Sequence, residues 1–226
     1  MTHTAHPYAQ RLGILRDWKS RWFSRTPAQY RENIKIDTAI RSYLKKRLRG
    51  FYVTDVEIER GEKEVRVLIK TSRPGLVIGR GGEGSTKITK DLRKVLGKLR
   101  LSEAPEIKLD IAEVRSPESH AAVVAQMIAE GLEKRQPHRR ILKQTIDKVM
   151  ANRDVEGVRI AVAGRLGGAE MSRREEIKRG QIPLQTLRAD IDFVREKAIL
   201  PYGVIGIKVW IYRGEIFSEN RGEKRL

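Results

Sequence analysis

The chain has 226 residues, 47 Lys plus Arg against 29 Asp plus Glu, and no Cys. That length allows one large or two modest domains. The formal charge of +18 favours a polyanionic partner, and the lack of Cys excludes disulfides, thiolate zinc sites and Cys nucleophiles. No run of about 18 apolar residues is present, so no transmembrane helix is expected, and no apolar stretch opens the chain as a secretory signal would.

Residues 1–36 read as a basic, aromatic arm. Arg11, Arg16, Lys19, Arg21, Arg25, Arg31 and Lys35 stand against Asp17 and Glu32, and Trp18, Trp22 and Phe23 interleave with them. Guanidinium planes and aromatic rings stack on unpaired bases, which makes this an RNA-binding arm. A transit peptide and a solvated N-terminus are the alternatives. Asp37 is the expected N-cap of a helix through Arg49, with Ile40, Tyr43, Leu44 and Leu48 as its stripe and Gly50 as its stop. Val53–Arg60 and Val65–Lys70 read as a hairpin turned at Gly61. Pro74–Ile78 reads as a short helical turn. A helix over Glu83–Lys98 follows, with Ile88, Leu92, Val95 and Leu96 inward. A loop with Pro105 then leads to a strand over Ile107–Val114.

Gly79, Arg80, Gly81 and Gly82 are the most informative residues. Gly79 and Gly82 allow backbone turns that a Cβ obstructs, and Arg80 between them can meet a phosphate. The loop opens a helix, whose first N–H groups point at anions. In KH modules such a Gly-x-x-Gly loop clamps the backbone of a single strand. Gly79, Gly81 and Gly84 also match the dinucleotide fingerprint, which needs a βαβ context and an acid about 20 residues on; Asp110 and Glu113 stand roughly there. A Walker loop fails, because Ser85 occupies the position of its Lys. A plain Gly-rich turn is the bland alternative.

Ser116 and Pro117 read as a helix start, which puts a domain boundary near Arg115. Helices over Pro117–Arg135 and His138–Asn152 and strands over Gly157–Ala163, Ala169–Lys178, Leu187–Val194 and Gly203–Tyr212 make a second domain of two helices on a four-stranded antiparallel sheet. On the second helix Arg139, Arg140 and Lys143 fall within an arc of about 100°, where they repel one another unless an anion neutralises them; a solvated face is the alternative. Residues 220–226 look frayed. The four domains are then an arm over 1–36, a KH domain over 37–115, an α+β domain over 116–213 and a tail over 214–226.

Catalytic chemistry is poorly supported. His3, His6, His120 and His138 lack metal-ligand spacing, and no nucleophile elbow is seen. Arg188, Asp190 and Asp192 alternate as a polar strand face rather than a metal pair. A Lys acting as a Schiff-base lyase at abasic sites is an enzyme alternative, but no Lys is marked for it. No cofactor and no metal are expected.

The element order helix, strand, strand, turn, Gly-loop, helix, strand resembles a type II KH domain. The wider chain resembles bacterial small-subunit ribosomal protein S three. The resemblance lies in His6 and Pro7 with Arg11 to Ile14, in Trp18, Trp22 and Phe23, and in Arg73 to Gly79. It continues in Ile111 to Arg115, Gly164 to Glu170, Leu187 to Asp192 and Tyr202 to Ile211. It implies a cytoplasmic, bacterial-type ribosome and a place in the small-subunit head. It also implies binding to the 3′ domain of the small-subunit rRNA, contact with neighbouring head proteins, and a wall of the channel through which mRNA enters. His6, Arg11, Lys19 and Trp22 in the arm are then candidate RNA-binding residues, and Arg165, Arg173 and Arg188 in the second domain are candidate rRNA-binding or structural residues. Arg139, Arg140 and Lys143 match the family's basic cluster at the messenger entrance. Relatives often carry two cations in the KH loop, where this chain has only Arg80. A free-standing KH regulator of RNA is the alternative from another class.

The charge predicts a steep salt dependence. The log of the RNA association constant should fall by about 0.7 per decade of salt for each phosphate neutralised on a single strand. Filter binding across a salt series measures this, and a flat response contradicts charge as the driver.

Overall fold

The computed structural model describes residues 5–61, 64–99 and 106–217. The Pro105 loop and the frayed end expected from residue 220 lie outside the described residues. Early in the chain come a short helix α1 (Pro7–Gln10) and a two-residue strand β1 (Ser20–Arg21). Two compact units form, one of Trp18–Arg115 and one of Ser116–Leu226 together with Met1–Asp17.

In the unit of residues 18–115, helix α2 (Pro27–Arg47) precedes strands β2 (Val53–Arg60) and β3 (Glu64–Thr71). Then come α3 (Pro74–Ile78), α4 (Glu83–Gly97) and β4 (Glu106–Glu113). This is the type II KH order. The sheet runs β1-β2-β3-β4, with β2 antiparallel and β4 parallel to the central β3. Alternation along β3 buries Val65, Val67 and Ile69 against Ile40 and Leu44 of α2 and Leu92 of α4. Fully burying each such side chain is worth about 1.5–3 kcal/mol, an upper estimate because unfolded chains also bury some surface.

Helix α2 starts eleven residues earlier than an N-cap at Asp37 would have it. Thr26 Oγ1 accepts the Gln29 N–H at 3.3 Å, and Pro27 occupies the first turn. Asp37 is no cap. It is buried inside the helix, where it accepts from Trp22 Nε1 at 2.8 Å and Arg60 Nη2 at 3.2 Å. Residues 27–36 of the expected arm are therefore helix, and Ser20–Arg21 extends the sheet by pairing with Ile58 and Glu59.

In the other unit, α5 (Ala121–Glu133) and α6 (His138–Met150) cover one face of a sheet of β5 (Gly157–Gly164), β6 (Arg173–Gly180), β7 (Ala189–Leu200) and β8 (Gly203–Glu215). The order is β6-β5-β8-β7, antiparallel throughout. Val158, Ile160, Ile207 and Val209 meet Val124, Ile128, Leu142 and Ile146 in the main core. Strand β7 runs six residues past its expected end, because Arg195, Glu196 and Lys197 hide a periodicity that Ala198 and Leu200 continue on the helix side. Gly214 and Glu215 belong to β8 and not to a tail.

The far side of this sheet carries a smaller cluster of Ala189, Ile191, Phe193, Trp210 and Tyr212. Residues of the arm sit against it. The His6 ring meets Phe193 edge-on at 4.7 Å, and Arg11 is wholly buried. Arg11 Nε donates to Ala189 O at 2.7 Å, Nη1 to Pro7 O at 3.1 Å, and Nη2 to Thr186 O at 2.8 Å and Leu184 O at 3.1 Å. Burial first, and then Arg16, pull its pKa below the usual arginine value, while Asp190 opposes.

Ser116 and Pro117 do not start a long helix. Pro117–Ser119 is one 3-10 turn, His120 is extended, and α5 begins at Ala121. Its cap comes from far along the chain: Asp192 Oδ2 accepts the Ala121 N–H at 2.8 Å and Arg213 Nη2 at 3.0 Å. Arg213 Nε also donates to Ser119 O at 3.0 Å. Burial on its own raises the Asp192 pKa, but Arg213, Arg16, the Ala121 N–H and His120 outweigh it and hold the carboxyl below its ordinary value.

Asp192→Asn should destabilise this unit by about 2–4 kcal/mol, because it leaves Arg213 without its counter-charge in a half-buried site. The folded pKa is depressed, so the stabilisation is present above the unfolded Asp value of about 3.9 and is lost as pH falls through the folded value. Urea melts of both proteins should differ at pH 7 and converge in acid; an equal gap at all pH values contradicts the assignment.

Candidate nucleic-acid interface

The glycine loop is built from its backbone outward. Helix α3 stops at Gly79, whose φ of 73° and ψ of 179° lie in a region essentially closed to side chains. Arg80–Gly82 make a tight turn, with φ of 57° at Gly81 and 81° at Gly82, and α4 starts next. Ser85 Oγ donates to Gly82 O at 2.8 Å and braces the turn. Arg80 is exposed at the apex.

Gly84 matters as much as the two motif glycines. A Cβ there would stand 2.5 Å from Val77 O and 2.8 Å from Ile78 O, while one on Gly79 would stand 3.0 Å from Gly84 N. The two helices approach with no room for a methyl group. In the sequence Gly84 draws notice only through the dinucleotide fingerprint. That fingerprint does not hold: helix α3 lies between β3 and the glycines, and the Asp110 carboxylate takes an ion pair from Arg66 on the neighbouring strand.

The basic helix is less uniform than its sequence. Arg139, Arg140 and Lys143 are all exposed. Arg139 Nη2 pairs with Glu175 Oε1 on β6 at 3.2 Å, and His138 Nε2 lies 3.1 Å from Glu175 Oε2. The Arg139 hydrogen bond first, and then His138, hold the Glu175 pKa low against the effect of burial. Arg140 and Lys143 have no side-chain partner among the described residues. The counter-anion that the arc requires is thus supplied in part by the protein, from a residue that no local pattern connects to this helix.

The remaining candidates divide. Arg11 is corrected from an RNA contact to a buried staple, since it is wholly buried and four of its donors are turned to carbonyls. Lys19 forms an ion pair with Asp55, Trp22 is tied to Asp37, and His6 packs on Phe193. Arg165 binds Ala169 O at 2.8 Å and Tyr202 O at 3.2 Å, which pins the Gly167–Gly168 turn. Arg188 pairs with Glu215 and lies 5.4 Å from the Phe217 ring centre. Arg173 is exposed at the start of β6. Among the described residues no group of His, Cys, Asp and Glu could hold a metal ion. No helix there is long and apolar enough to cross a membrane.

Two family models match the chain, a KH domain over residues 39–119 and the C-terminal domain of ribosomal protein S3 over residues 128–211. The small ribosomal subunit protein uS3 of Caldicellulosiruptor bescii is 42% identical over 99% of this chain and 100% of its own length. The chain belongs to the uS3 family. The uS3 of Maridesulfovibrio salexigens is 43% identical over 96% of this chain and 98% of its own. That of Salinibacter ruber is 43% identical over 97% and 89%. The uS3 family is structural and not enzymatic, which sets aside the Lys-centred lyase. Its two matched segments fall on the KH unit and on the α+β unit with the long β7–β8 hairpin.

Gly84→Ala should damage the uS3 loop more than Arg80→Ala. The added methyl meets backbone carbonyls that cannot rotate away, and overpacking of this kind costs about 1–3 kcal/mol. Loss of exposed Arg80 costs a few tenths to about one kcal/mol of RNA affinity. Thermal melts and filter binding of both variants give the order, and a wild-type melt for Gly84→Ala contradicts the close approach.

Proposed function

We propose that this chain is a structural RNA-binding protein of the small-subunit head in a cytoplasmic, bacterial-type ribosome. In this reading it binds the 3′ domain of the small-subunit rRNA, touches neighbouring head proteins and lines the channel by which mRNA enters. The observation that carries it is the KH loop. Three positive-φ glycines, Gly79, Gly81 and Gly82, present an exposed Arg80 just before α4. Such a loop recognises the sugar-phosphate backbone rather than a base edge. Membership of the uS3 family supports the ribosomal setting, and the +18 charge supplies the attraction.

The messenger role rests on α6. Ile141, Leu142, Ile146 and Val149 face the core, so the opposite side is free to carry charge. Arg140 and Lys143 present cations there with no side-chain partner among the described residues, while Arg139 is tethered through Glu175. Exposed cations attract an incoming phosphate strand without base specificity.

Replacing Arg140 and Lys143 by Ala should leave assembly intact, because Ala is a good helix former and the change relieves like-charge repulsion. Purified variant ribosomes should translate messages with a stable downstream hairpin several-fold less well, relative to unstructured messages, than wild type. Arg139→Ala should have the smaller effect. An unchanged ratio in the double variant removes the entrance role.

A further inference from the structure

The face of the C-terminal sheet away from its helices, which the arm covers in part at Phe193, carries a charged surface that neither the KH loop nor α6 accounts for. Its register sets three rows of four outward positions. Arg174, Ala163, Gly206 and Lys197 form one row. Glu176, Ala161, Lys208 and Arg195 form the next, and Lys178, Arg159, Trp210 and Phe193 the third. Six cations therefore share a grid with one acid. Strands lie about 4.8 Å apart and same-face residues about 6.8 Å apart along a strand, so the grid spans roughly 14 Å each way.

Glu176 does not cancel this surface. Both its oxygens are taken within the grid, by Arg159 Nε at 2.7 Å and Arg174 Nη2 at 3.0 Å. Lys178 and Lys208 have no side-chain partner among the described residues. Ala161 is buried, but Ala163 and Gly206 leave a low floor beside it, and longer cationic side chains rise around that floor. Arg159 lies 4.8 Å from the Trp210 ring centre and Arg195 5.4 Å from that of Phe193, which orients two guanidiniums. The rings themselves are only 5% exposed. They are closed to base stacking, and they give a protein partner no apolar anchor within the grid. What is left is an ordered set of donors around a shallow floor, which fits a phosphodiester backbone and no base in particular.

We infer that this sheet face is a second RNA-binding surface, holding an RNA backbone over the Ala163–Gly206 floor between the β6 and β7 cations. The inference rests on the reading of the chain as an RNA-binding protein. It adds a surface that is independent of the glycine loop.

The test uses the full chain and a labelled in vitro transcript of the 3′ domain of bacterial small-subunit rRNA. One variant carries Arg195→Gln, Lys197→Gln and Lys208→Gln. A charge-matched control carries Lys134→Gln, Lys148→Gln and Arg153→Gln, all exposed positions away from the grid. Near-ultraviolet circular dichroism checks that both fold. The grid variant should bind at least tenfold more weakly at low salt, with a salt slope shallower by about 2, as three lost phosphate contacts require. The control should lose clearly less. Equal losses in the two overturn the inference and leave only diffuse charge. Wild-type RNA binding by the grid variant with lost binding to poly-glutamate also overturns it, in favour of an acidic protein segment. Gly79→Asp, measured alongside, separates the two ideas. If it weakens binding while the grid variant does not, the KH reading stands and the second surface falls; if wild type itself binds no RNA, the underlying reading fails.

Discussion

An arginine side chain has five donors, and each N–H given to a carbonyl inside the protein is one fewer for a phosphate outside it. In a chain with 47 cations that constraint sorts the whole structure. Arg11 gives four donors and Arg165 three to main-chain oxygens. Arg41 does the same between α2 and the sheet, donating to Val56 O at 2.6 Å and Lys19 O at 2.9 Å. Arg213 and Arg16 are held by Asp192 and Asp190. These residues make the fold. Arg80, Arg140, Lys143 and Lys208 are among the cations left facing outward, and such residues can make an interface.

The same sorting explains how a strongly basic protein stays compact. Self-repulsion opposes folding when net charge is high, and carboxylates are few, so each is used where it counts most. Asp192 caps α5 and neutralises Arg213 at once. Glu176 bridges two arginines on one sheet face, and Glu175, one residue earlier and on the opposite face, ties β6 to α6. Surface ion pairs are worth little singly. Their value here is to fix which cations remain unpaired and where these point.

The hydrophobic periodicity of this chain makes its architecture legible. The KH order, the two helices of the second domain and its four strands all follow from patterns of two and 3.6 residues. Local start signals are less faithful. Thr26 with Pro27 and Ser116 with Pro117 look alike, yet the first launches 21 helical residues and the second a single 3-10 turn. The difference is tertiary, since Asp192 caps a later position and pulls the helix start to Ala121. Strand β7 hid its last half behind three charged residues that turn out to alternate across a half-solvated sheet. The glycine loop could be read because its chemistry is local. The fate of Arg11 could not, because three of its carbonyl partners lie more than 170 residues away.

The central claim is that internal partners decide which cations meet RNA. Cross-linking of intact small subunits, mapped to individual residues, tests it directly. Cross-links should fall on the segments holding Arg80, Arg140 with Lys143, and Lys208, and should be absent at Arg11 and Arg165. Strong cross-links at Arg11 with none at Arg80 would contradict the account, since a wholly buried guanidinium with four of its five donors on carbonyls is closed to RNA.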